Sequence, residues 1–146
     1  MLFMIIRKDD ALTESGTLPG PQMLEAMGRY RDELAAAGVY RGGDGLLPSA
    51  LGAKLRYSQG RTTVTDGPFT DAKEVIAGFV LLETGSLTEA VRWARRCPSL
   101  AGGDAEIEIR QLAEAAHFPP EAQPALARMP WSTVSAQAIT RIGDIA

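Results

Sequence analysis

The chain has 146 residues, 45% hydrophobic and 23% charged, which suits one soluble globular domain with a tail and a core large enough to need no disulfide or metal. A formal net charge of -3 leaves no electrostatic footprint for direct nucleic-acid binding or for an anionic membrane surface. A single cysteine, Cys97, excludes an internal disulfide framework and a cysteine-cluster zinc site, and no apolar run is long enough to cross a bilayer, so a cytoplasmic location is expected.

Leu2 to Arg7 alternates as a first strand, interior to a sheet. Its apolar start is short and passes straight into Arg7-Lys8-Asp9-Asp10, unlike a signal peptide. Lys8 to Gly20 reads as a polar loop. Pro21 suits a first helical turn, where its missing N–H costs nothing. Met23, Met27, Tyr30, Leu34 and Ala37 follow as one apolar stripe, and Gly38 is a stop. Met27 has two readings, core packing or an adaptable wall for a ligand.

Val39 to Pro48 is rich in glycine but lacks the lysine and hydroxyl ending of a phosphate loop, so it reads as a strand with tight turns. Leu51 to Tyr57 and Arg61 to Thr65 form a hairpin around Ser58-Gln59-Gly60. Asp66-Gly67-Pro68 sets a chain reversal that delivers Phe69 to a fixed place against the core, with Asp66 expected to accept backbone N–H groups. Ile76 to Leu82 is apolar on both faces and reads as the central strand, where Gly78 marks a bulge or a close approach. Ser86 and Glu89 make a capping box for a helix that Pro98 ends. Ala105 to Leu112 is a final strand with a clean inward and outward alternation.

The order strand, helix, strand and hairpin, central strand, helix, strand is the split βαβ plan of an α+β, ferredoxin-like domain over residues 1–112. Residues 113–146 hold Pro119, Pro120, Pro124 and Pro130 and read as an arm packing on the domain or a partner, with Trp131 as anchor.

Catalytic patterns are sparse. No nucleophile elbow and no metal set stand at working spacing, and no cofactor motif is present. His117, the only histidine, lies beside proline-rich sequence and reads as structural. Asp66 remains as a candidate proton acceptor, with Lys73 to fix an anion and Phe69, Gly78 and Met27 as ligand-contacting candidates.

Asp66-Gly67-Pro68-Phe69, Lys73-Glu74, Gly78-Phe79, the Gly42-Gly43 pair, Leu46-Leu47-Pro48 and the Trp93 to Pro98 helix end together resemble the DGPF branch of the YCII-related proteins. Ala77 departs from the pattern, which commonly has a second glycine there. The resemblance implies a homodimer pairing sheet against sheet as a dimeric α+β barrel. The leading reading is a dimer that binds a small molecule or a protein partner through the cleft between helix and sheet, or through the tail. It also implies an accessory role beside an extracytoplasmic-function sigma factor. The wider family is proposed to use a histidine on the first helix and an aspartate at the end of the second. Here the first helix has no histidine and Cys97 takes the second place. The alternative is a cofactor-free enzyme of isomerase, lyase or oxygenase type using Asp66.

Overall fold

The computed structural model describes residues 1–8, 11–69, 75–100 and 104–128. Lys73 and Trp131 lie outside the described residues. The elements run β1 (Leu2–Lys8), α1 (Ala11–Glu14), α2 (Pro21–Ala36), β2 (Tyr40–Gly45), β3 (Ala53–Ser58), β4 (Arg61–Asp66), β5 (Ile76–Glu83), α3 (Leu87–Ala94), β6 (Ile107–Gln111) and α4 (Gln123–Leu126). Short 3-10 turns stand at Ser49–Leu51, Pro98–Leu100, Ala115–His117 and Pro120–Ala122.

Four strands form one antiparallel sheet in the order β2-β5-β1-β6. That is the ferredoxin-like arrangement, with β1 and β5 inside, as their unbroken apolar sequences require. Phe3 pairs with Leu82 and Ile5 with Val80, and all four side chains are buried beneath the helices. Tyr30 and Leu34 of α2, Ala90 and Ala94 of α3, and Cys97 complete this core. The phenol of Tyr30 donates to the carbonyl of Trp93 at 3.0 Å, so its polar atom is satisfied inside the core edge. The other sheet face shows Met4 paired with Leu81 and Ile6 with Phe79, all only half-buried.

The helix ends follow their sequence signals. Pro21 opens α2, and Gly38 takes a positive φ of 71° just past its end. The helix stripe holds for Met23, Met27, Tyr30 and Leu34, whereas Ala37 is exposed because the helix stops at Ala36. Ser86 Oγ accepts the N–H of Glu89 at 3.2 Å, and the Glu89 carboxylate accepts the N–H of Gly85 at 2.9 Å. The expected loop from Lys8 to Gly20 contains one element that its polar composition hides, the single turn α1.

β3 and β4 form a separate two-stranded ribbon. Gln59 and Gly60 both have positive φ, 50° and 75°, which makes the tight turn whose twist matches a hairpin. No described helix is long and apolar enough to cross a membrane.

Candidate functional site

The site is assembled around Ser49, a buried polar residue in the turn that follows β2. Its N–H donates to Glu14 Oε1 at 2.7 Å and its hydroxyl to Glu14 Oε2 at 2.5 Å. The same Ser49 Oγ accepts the backbone N–H of Phe69 at 2.9 Å. One carboxylate at the end of α1 thus fixes the Ser49–Leu51 turn, and that turn fixes the Asp66–Phe69 reversal. Gly67 donates its N–H to Gly52 O at 2.9 Å and lies so close to Ser49 that a Cβ there would stand 1.7 Å from the Ser49 carbonyl oxygen. Only glycine fits this approach.

This scaffold walls a cleft of about 340 Å³. Its apolar lining includes Leu46, Leu47, Leu51, Phe69, Val75 and Ile76. Among the described lining residues only Lys54 carries a charge. Its ammonium lies 4.5 Å from the centroid of the Phe69 ring, a cation–π contact worth about 0.5–1 kcal/mol at an exposed position. Lys54 has no carboxylate partner among the described residues. Among the described residues the cleft therefore offers apolar walls, an aromatic ring and one ammonium without a carboxylate partner.

Of the residues marked from sequence, Phe69 lines this cleft and is half-buried there, outside the main core cluster. Gly78 is buried in β5, where a Cβ would meet Asp44 O at 2.7 Å, so it marks a close approach of two backbones. Met27 packs against the edge of the core and is not among the cleft residues. Asp66 ends β4, is solvent-exposed, and is not a cleft residue. The turn N–H that was expected to bond Asp66 goes instead from Phe69 to Ser49, because Ser49 is buried directly beneath the reversal. Sequence reasoning missed Glu14, Ser49 and Lys54. Pro48-Ser49 carried a weak turn signal, but Glu14 acts across 35 residues and nothing local announces it.

No group of three or more His, Cys, Asp or Glu side chains among the described residues is placed to hold a metal ion. His117 is exposed, and its Nδ1 accepts the N–H of Glu114 at 2.9 Å, closing the Ala115–His117 turn. Cys97 is buried, with Sγ 3.0 Å from Ser99 Oγ.

A family model for the YCII-related domain matches residues 1–113. The chain belongs to the YCII-related family. Among YCII-related relatives, an uncharacterized protein, R00369 of Rhizobium meliloti (strain 1021), is 41% identical over 68 residues, which is 47% of this chain and 55% of that protein. The chain thus spans about half the length of this curated relative. A solved structure, 5-chloro-2-hydroxyhydroquinone dehydrochlorinase (TftG) from Burkholderia phenoliruptrix AC1100 in complex with 2,5-dihydroxybenzoquinone, is similar at 22% identity and a TM-score of 0.48. That match covers 82% of this chain and all (100%) of the other.

Proposed function

We propose that this YCII-related protein binds a small, mainly apolar molecule bearing an acidic group, of the aromatic carboxylic acid class, in the cleft beside Phe69. The observation that carries the proposal is the Lys54 ammonium, the one charge among the described residues of a largely apolar wall. Pockets of this size commonly pair apolar walls with one or two polar groups that fix orientation. A carboxylate on the ligand would meet Lys54 while its ring stacked near Phe69.

Binding is favoured over catalysis by the commitments of the polar groups. Ser49 Oγ already donates to Glu14 and accepts from Phe69. Asp66, the candidate proton acceptor, stands outside the cleft lining.

Titration calorimetry with a panel of benzoates tests the proposal. The unmodified protein should bind at least one saturably. Lys54→Met should weaken that binding about tenfold or more, equivalent to ~1.4 kcal/mol, while Lys54→Arg should retain most of it. Equal affinity in Lys54→Met, or no saturable binding of any benzoate, sinks the reading.

A further inference from the structure

Every residue of β3 and β4 is solvent-exposed, and among the described residues neither strand has a neighbour beyond the other. A two-stranded ribbon alone in water is marginally stable. This one also exposes a large apolar face. Leu55 pairs with Val64 and Tyr57 with Thr62, so Leu55, Tyr57 and Val64 share one face, at 71, 75 and 63% exposure. Lys54, Arg56 and Arg61 occupy the other.

The two open edges are not equivalent. The Gly67 N–H to Gly52 O bond sets which pairs exchange hydrogen bonds, and the alternation then falls on Lys54 with Thr65, Arg56 with Thr63, and Ser58 with Arg61. The remaining residues turn their N–H and C=O groups outward. On β4 these are Thr62, Val64 and Asp66; on β3 they are Ala53, Leu55 and Tyr57.

We infer that β4 pairs antiparallel with β4 of a second copy of this chain across a twofold axis. The axis stands perpendicular to the ribbon, so each face stays on its own side. With Val64 opposite Val64 of the partner subunit, Thr62 falls opposite Asp66 of the partner subunit, and the reverse holds on the other side of the axis. Thr63 then meets Thr65 of the partner subunit. This register uses every outward group of β4, sets a hydroxyl beside each Asp66 carboxylate, and opposes no like charges. The same operation on β3 fails. Centred on Leu55 it places Lys54 opposite Arg56, and shifted by one residue it places Arg56 opposite itself; opposed like charges destabilise a ladder. The threonines and valine of β4 also favour a pleated surface. One interface would join both apolar faces into a continuous patch and cover a strand edge that otherwise invites non-specific pairing.

Cysteine crosslinking tests the register. In a hydrogen-bonded antiparallel pair the Cα atoms stand about 5.5 Å apart, within the roughly 4.4–6.8 Å span of disulfides. Val64→Cys should become a disulfide-linked dimer under mild oxidation. Thr62→Cys, whose twin lies displaced by about 13 Å along the strand in this register, should not, and neither should the parent chain with its buried Cys97. Val64→Pro removes one outward N–H while leaving the ribbon's own bonds intact, and should weaken dimerisation in sedimentation equilibrium about tenfold or more. Circular dichroism confirms that each variant is folded. A dimer joined only through the half-buried sheet face would leave Val64→Cys unlinked and Val64→Pro unaffected, and either result overturns the inference, as does a folded parent chain that sediments at its single 15.6 kDa mass.

Discussion

Gly67 shows how one residue type can be dictated by a single contact. Its α-hydrogen faces the carbonyl of Ser49, and a methyl group there would overlap that oxygen at 1.7 Å. Neither partner can retreat easily, because Ser49 is tied to Glu14 through both its N–H and its hydroxyl. Gly67→Ala should therefore destabilise the fold by roughly 1–3 kcal/mol, the usual range for forced overpacking, read from urea denaturation. The same variant should displace Phe69 and weaken any ligand of the cleft; a variant with unchanged midpoint and unchanged binding would show that the reversal is not held as described. The glycine was legible in the sequence as part of Asp66-Gly67-Pro68-Phe69. Its partner was not, since Ser49 and Phe69 meet only through tertiary packing.

At the scale of elements, local chemistry carried most of the fold. Strands β1 and β5 announce themselves by unbroken apolar runs, β6 by alternation, α2 by its stripe and Pro21, and the ribbon by its Gln59-Gly60 turn. The same applies to α3, whose cap is formed by Ser86. Ser86→Ala should cost about 1 kcal/mol, visible as a lowered thermal midpoint, and Ser86→Asp should restore most of it by accepting the same Glu89 N–H. A Ser86→Ala protein as stable as its parent would mean that packing of Ala90 and Ala94 alone holds the helix. What stayed hidden were elements defined by distant partners. The α1 turn sits in polar sequence and matters because Glu14 reaches the turn after β2. Lys54 carries no motif of its own, and only the fold sets it over Phe69.

For the whole molecule, two titrating groups shape stability against pH from opposite ends. Burial pushes the Tyr30 phenol well above its ordinary value of 10.0, with the neighbouring Cys97 adding to the rise. The unfolded chain can then lose this proton where the folded chain keeps it, so stability is full below the ordinary phenol value and falls as pH rises above 10.0. Tyr30→Phe should flatten that alkaline fall in thermal melts. At the acid end, hydrogen bonds from Lys8 and Arg110 hold Glu108 below its ordinary value of 4.5. Its contribution is present above that value and is lost as pH falls through the depressed one. A Tyr30→Phe chain whose alkaline fall matches the parent would show that another group governs that end.

The placement of β1 in the middle of the sheet bears on how the chain is made. The segment Leu2–Lys8 leaves the ribosome well before its partners, β5 at Ile76–Glu83 and β6 at Ile107–Gln111. At bacterial and eukaryotic elongation rates, the first strand waits on the order of 4 to 15 seconds for its first neighbour. Throughout that interval Leu-Phe-Met-Ile-Ile has both edges open and both faces apolar, the composition that chaperones and aggregates both recognise. Nascent chains halted before β6 should thus engage ribosome-associated chaperones at Leu2–Lys8, and release it once Gln111 has cleared the exit tunnel.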